Sequence, residues 1–202
     1  MVKLAIIRHG PTRWTEEKRL QGRRDTPLSP DGRRIVERWR LPPELAAYRW
    51  ISSPLMRCVE TARILGAADL AIEPRLIEMD WGAWEGRRST DLRVELGPEL
   101  TANERRGLDL RPPAGESPRE VLRRVTPWLR EIADHGRPTL AFSHKGVIRA
   151  IYALAAGWDM RAEMPHKLSW DSAQCFDLDI GGKPRISVLN VALSPRSPAH
   201  AR

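Results

Sequence analysis

Cysteine is scarce: Cys58 and Cys175 are the only two among 202 residues. They lie far apart, form no CxxC and keep no ligand spacing with histidine, so neither a disulfide framework nor a structural zinc site has support. That usage fits a reducing cytoplasm, where the protein is expected to reside. Long apolar runs are also missing. Leu4-Ala5-Ile6-Ile7 is followed at once by charged Arg8, too short for a signal peptide, and no stretch approaches the roughly 18 apolar residues that a membrane helix needs. Internal repeats and low-complexity tracts are absent. So is a single basic block: 34 Lys and Arg against 26 Asp and Glu give a net charge of +8, scattered as pairs such as Arg23-Arg24 and Arg123-Arg124. A nucleic-acid arm is therefore not expected, nor a membrane partner, while an anionic small molecule suits the positive surplus.

With 41% hydrophobic and 30% charged residues the chain has the composition of a folded globular protein. A single domain over residues 1–193 is expected, with 194–202 (SPRSPAHAR) as a flexible tail. Val2 to Ile7 reads as a buried strand ending at Arg8-His9-Gly10. Ser29-Pro30 opens a helix that continues to about Arg40, and Tyr48 to Ile51 is another strand. Ser53-Pro54 repeats the start signal before LMRCVETARIL, which Gly66 closes. Residues 86–116 have little periodicity and read as a small, partly helical lid insertion. Ser117-Pro118-Arg119-Glu120 is a capping box for a helix that Pro127 should kink. Thr139 to Phe142 is a strand leading to His144 and the helical GVIRAIYALAAG. QCFDLDI and RISVLN, around Gly181-Gly182, form a hairpin. The alternation implies a three-layer α/β/α sandwich with a mostly parallel central sheet and an antiparallel edge. Ligands of such sheets bind beyond the carboxyl ends of strands, where His9 and His144 both fall.

Alone, Arg8-His9-Gly10 is a weak signal. It gains weight from PTRWTEEKRLQGRRDTPLSPDGR, ISSPLMRCVETA, EMDWGAWEG and SHKGVIRA, each near a strand end or helix start. Together these four ordered motifs resemble the histidine phosphatase superfamily, in its phosphoglycerate-mutase-like branch. The resemblance implies His9 as a nucleophile flanked by Arg8, Arg57 as a phosphate-binding arginine, Glu78 as the acid and His144 as the second histidine. Asp80 and Glu85 are close competitors of Glu78.

Chemistry agrees with these roles. Phosphoryl transfer to histidine needs a neutral ring nitrogen held in line with phosphorus, and a strand end can hold it. Arg8 and Arg57 offer permanent charge to the equatorial oxygens, and His144 adds a donor. A carboxylic acid at Glu78 can protonate the leaving oxygen and then activate water. Gly10 and Gly22 would admit close backbone approach to phosphate, and Gln21 joins them as a candidate binder. Cys58, on an apolar helix face, reads as inert, and the eight tryptophans read mainly as packing. His9, His144 and Glu78 lack a local ligand pair such as HExxH, so neither a metal nor any other cofactor is expected.

Three positions differ from, or extend, the resembled pattern. Thr15 stands where many relatives have asparagine, with a shorter hydrogen-bonding reach. Lys145 stands where glycine is common, either adding charge to the pocket or pointing outward. Arg111, in RPPAGES, either helps select an anionic or polar substrate or is a loop arginine. The implied activity is a metal-independent phosphomonoesterase that acts through phosphohistidine on a small phosphate ester, such as a sugar phosphate or α-ribazole phosphate, and releases inorganic phosphate. A phosphoglycerate-mutase-type transfer and a non-catalytic phosphate-binding protein are the alternatives. Oligomeric state is open.

Overall fold

The elements run β1 (Val2–Arg8), α1 (Arg13–Glu16), α2 (Pro30–Arg38), α3 (Pro43–Ala46), β2 (Arg49–Ser52), α4 (Met56–Ile64), β3 (Ala71–Ile72), α5 (Ser89–Glu104), α6 (Pro118–His135), β4 (Thr139–Ser143), α7 (Lys145–Ala156), β5 (Ser172–Leu178) and β6 (Pro184–Ala192). They come from a computed structural model that describes residues 1–193; the tail expected at 194–202 lies outside the described residues. One six-stranded sheet has the order β3-β2-β4-β1-β5-β6. Its β3-β2-β4-β1 part is parallel, and β5 and β6 add the antiparallel edge.

Alternation along β1 divides the core into two layers, because successive strand side chains leave opposite faces. Leu4 and Ile6 join Val121, Val125 and Leu129 of α6 and Ile148 and Tyr152 of α7. Ala5 and Ile7 join Val36 of α2 and Cys58 and Ala62 of α4. Helices thus cover both faces, giving the expected α/β/α sandwich. Between β3 and α6, Trp84, Leu92 and Leu100 build a third, smaller cluster that holds the insertion together. That insertion is helical over Ser89–Glu104, interrupted only where Gly97 takes φ 43° before Pro98.

Local chemistry explains the helix ends. The Ser117–Glu120 capping box forms as expected, and Gly136 closes α6 with φ 65°. Two expectations are corrected. Helix α4 starts at Met56 rather than at Pro54, because the Met56 N–H donates to Asp25 Oδ1 at 2.7 Å and frees Ser53 for another task. Helix α6 runs through Pro127 as one element. Its proline lies on the exposed face, where water can satisfy the carbonyl left without an N–H, while Val125, Trp128 and Leu129 anchor the buried face.

Candidate active site

Strands β1 and β4 are neighbours in parallel register, Arg8 opposite Ser143, so the residues that leave them, His9 and His144, emerge side by side. The His9 N–H donates to Ser143 O at 3.0 Å and continues the ladder one step further. The two rings lie 5.2 Å apart between centroids. His9 Nδ1 is 2.7 Å from its acceptor, the Gly10 carbonyl. A carbonyl can only accept, so Nδ1 carries the proton and Nε2 keeps its lone pair. Burial, reinforced by the Arg8 and Arg57 charges, holds the His9 pKa well below the usual histidine range. Burial does the same to His144, with Arg57 and His9 adding to it. Both rings are neutral at pH 7.

Arg57, on the first turn of α4, is fully buried. Its Nη1 donates to Arg24 O at 2.7 Å and its Nη2 to Gly22 O at 2.8 Å, while its Nε has no partner. The Arg8 Nε is also buried without a partner. Among the described residues neither arginine has a carboxylate within 4.0 Å. Two uncompensated guanidiniums beside two neutral imidazoles make a setting that an incoming phosphate would complete.

Glu78 is buried in the segment ahead of the insertion. Its Oε1 accepts from Met79 N at 2.8 Å and from Gly146 N at 3.1 Å, near the start of α7. Burial raises its pKa, opposed by those N–H donors and by Arg57 and Arg8. Its competitors lie elsewhere: Asp80 Oδ1 accepts from Gly82 N at 2.8 Å, and Glu85 Oε1 accepts from Arg23 N at 2.6 Å. Arg8, His9, Thr15, Gln21 and Glu78 line one cavity of about 570 Å³, roofed by Ser89, Glu104 and Leu110 of the insertion. Thr15 Oγ1 accepts from Gln21 Nε2 at 2.9 Å, and Gln21 Oε1 accepts from Thr12 Oγ1 at 2.8 Å, so these side chains brace one another along one wall.

Three expected placements need correction. Gly10 does not line the cavity; a Cβ there would lie 2.3 Å from Val36 Cγ2, so packing against α2 calls for glycine. Gly22 has φ 56° and a Cβ position filled by Glu85, and its contribution to the site is the carbonyl that holds Arg57. Arg111 is not in the cavity. It lines a neighbouring cleft with Arg23, Glu116 and Arg124, where Nη1 pairs with Glu120 at 3.1 Å and Nε donates to Gly115 O.

Other features were not legible beforehand. Ser53, read as a helix cap, instead places Oγ 2.7 Å from His144 Nε2. Arg149 lines the cavity one helical turn beyond Lys145, and that four-residue spacing was the available signal. Lys145 also lines the cavity, with Nζ 5.3 Å from the Trp170 ring centroid. Cys58 is buried and free; burial pushes its thiol pKa far up, and Sγ donates to Ser143 O. Trp39, Trp84, Trp128 and Trp158 are buried as packing residues, while Trp81 borders the cavity. Among the described residues no helix is long and apolar enough to cross a membrane.

The family model described as histidine phosphatase superfamily (branch 1) matches residues 4–191. A protein of Enterobacter sp. (strain 638), named probable phosphoglycerate mutase GpmB, is 34% identical over 173 residues, which cover 81% of this chain and 79% of that protein. Among solved structures, the mycobacterial glucosyl-3-phosphoglycerate phosphatase superposes with a TM-score of 0.75 at 25% identity, covering 95% of this chain and 100% of that one. The α-ribazole phosphatase from Shigella flexneri gives a TM-score of 0.78 over 97% of this chain and 100% of its own; at 24% identity that likeness concerns the fold alone.

Proposed function

The chain belongs to the histidine phosphatase superfamily, branch 1, and from that premise we propose that it is a cytoplasmic phosphomonoesterase that forms a phosphohistidine and needs no metal. The carrying observation is the 2.7 Å contact of His9 Nδ1 with Gly10 O, which leaves Nε2 unprotonated in the cavity that also holds Glu78.

In the first step His9 Nε2 attacks phosphorus and the P–O bond to the leaving group breaks, while the protonated Glu78 carboxyl gives its proton to the departing oxygen. Arg8 and Arg57 meet the charge on the equatorial oxygens, as preorganised cations do in phosphoryl transfer. In the second step the Glu78 carboxylate takes a proton from water, the resulting hydroxide attacks phosphorus, and the N–P bond breaks to release inorganic phosphate and neutral His9. The raised Glu78 pKa supports its protonated form at the start. The donor set also suits a metal-free route: a divalent cation between His9, His144 and Glu78 would sit beside the positive charges of Arg8 and Arg57.

The test is hydrolysis of p-nitrophenyl phosphate with a chelator present, against His9→Ala. Activity should survive chelation and fall at least about a thousandfold in the variant, and an acid-labile phosphoenzyme should be trapped only in the starting protein. Loss of activity on chelation overturns the metal-free route, and no hydrolysis across a broad ester panel overturns the phosphatase reading. The 34% identity to a protein named as a phosphoglycerate mutase favours one second reading, transfer of the phosphoryl group to another hydroxyl. Isomerised ester exceeding free phosphate, with 3-phosphoglycerate supplied, would select it.

A further inference from the structure

The reaction proposed above uses Arg8, Arg57, His9 and Glu78, yet the cavity that Arg8, His9 and Glu78 line also holds Lys18, Arg19, which is paired with Glu17 at 2.6 Å, and two cations of α7, Lys145 and Arg149. They lie four residues apart on α7, hence on one helical face about 6 Å apart along the axis. Among the described residues neither has a carboxylate within 4.0 Å, and the Arg149 Nε is buried without a hydrogen-bond partner. Their neighbours are aromatic faces instead. Lys145 Nζ lies 5.3 Å from the Trp170 centroid, the Arg8 guanidinium lies 5.7 Å from the same ring, and the Arg149 guanidinium lies 5.5 Å from the Trp158 centroid. An indole face orients a cation while leaving its formal charge uncancelled.

This placement works against α7 itself. Like charges at that spacing repel, and cations at a helix N-terminus oppose the dipole. The first turn of α7 has no acidic residue to offset them. Burial and the Arg149 and Arg8 charges lower the Lys145 pKa, and the carboxyl that acts the other way is Glu78, which is protonated when the proposed reaction begins. The remaining acid on the cavity wall, Glu104, is engaged by Arg93 at 2.7 Å. The cavity therefore holds more positive charge than one phosphate needs, and the charges of Lys145 and Arg149 are paired with no carboxylate among the described residues.

We propose that Lys145 and Arg149 form a second anion subsite, so that the substrate is a phosphate ester bearing a further carboxylate or phosphate group. The inference rests on His9 receiving the ester phosphate. It assigns to Lys145 and Arg149 the choice of substrate and no part in bond breaking.

Three probes separate the outcomes: glycerol 3-phosphate has no second anion, 3-phosphoglycerate adds a carboxylate, and fructose 1,6-bisphosphate adds a phosphate. At least one charged probe should exceed glycerol 3-phosphate in kcat/KM by about tenfold, as one charge-assisted contact allows. That ratio should collapse towards one in Lys145→Gln and in Arg149→Gln, mainly through KM, and persist in Lys145→Arg. The more preferred charged probe identifies the second group. No preference in the starting protein, or a preference untouched by both glutamine variants, overturns the subsite. Calorimetric binding of the same probes to His9→Ala reads the preference without turnover. If no ester is hydrolysed while that preference persists and vanishes in the Lys145→Gln double variant, the catalytic reading fails and the subsite stands.

Discussion

Ser53 Oγ lies 2.7 Å from His144 Nε2, and both groups are fully buried. The contact joins the residue that follows β2 to the residue that follows β4, and so fixes the plane of a ring 5.2 Å from His9. Ser53 thereby acts as a positioning residue for His144.

Ser53→Ala removes this bond and leaves the buried His144 Nε2 only its weaker 3.4 Å contact with Cys58 Sγ, which should cost about 1 kcal/mol of stability. If positioning is its role, kcat for p-nitrophenyl phosphate should also fall about tenfold in the folded enzyme, with KM little changed. Chemical denaturation and steady-state kinetics at a temperature where the variant is fully folded separate the two effects. An unchanged kcat under those conditions would leave Ser53 with a purely structural part.

Activity should trace a bell whose limbs have known directions. The nucleophile must be neutral, so the acid limb belongs to His9 and falls below its ordinary value of 6.5, where burial and the two arginines have moved it. The acid must be protonated, so the other limb belongs to Glu78, lies above its ordinary 4.5, and removes activity as pH rises. Profiles of kcat/KM should rise through an acid limb below 6.5 and fall through a limb above 4.5, and Glu78→Gln should lower the rate and erase the limb on the alkaline side. A variant that keeps that limb would transfer the role of acid to another group.

Glu78 also bears on stability. Its folded pKa is raised above the unfolded 4.5, so from 4.5 up to the folded value the native state binds more protons than the unfolded one, and native stability declines as pH rises through that window. Glutamine mimics the protonated form and escapes the decline. The melting temperature of Glu78→Gln, followed from pH 4 to 8, should therefore gain on that of the starting protein as pH rises, then level off. A gap that stays constant with pH would contradict the linkage.

Sequence legibility followed the range of the interaction. His9 and His144 could be read because the signal was local: an apolar strand, then a histidine, then a turn or helix. The β1 alternation and the Ser117–Glu120 box were local too, and both formed as expected. What escaped depended on partners distant in the chain. Asp25 caps α4 from 31 positions away, which released Ser53 for its contact with His144, 91 positions on. Gly10 answers to Val36 across the layer, and Arg111 is claimed by Glu120 and the Gly115 carbonyl, so its charge is spent outside the cavity. Arg149 is not legible in the sequence because a polar residue inside a helical period has the pattern of solvent-facing surface, whereas here it lines the cavity.

Gly22 and Gly136 offer a controlled comparison of what a single methyl group does. Both have positive φ, 56° and 65°, so alanine is strained at either place by about 1 kcal/mol. At Gly136 a Cβ meets nothing within 4 Å, and the backbone strain is the whole effect. At Gly22 it would lie 1.8 Å from Glu85 Oε1, so the Glu85 side chain must shift and give up the bond it accepts from Arg23 N, which loosens the loop. That shift moves the Gly22 carbonyl, which accepts from Arg57 Nη2 at 2.8 Å. Gly136→Ala should therefore lower stability modestly and leave kinetics intact, whereas Gly22→Ala should destabilise further and weaken phosphate binding. Inhibition constants for inorganic phosphate, measured on both folded variants, check this: a rise of about tenfold confined to Gly22→Ala is expected, and equal constants would show that Arg57 does not depend on the Gly22 carbonyl for its position.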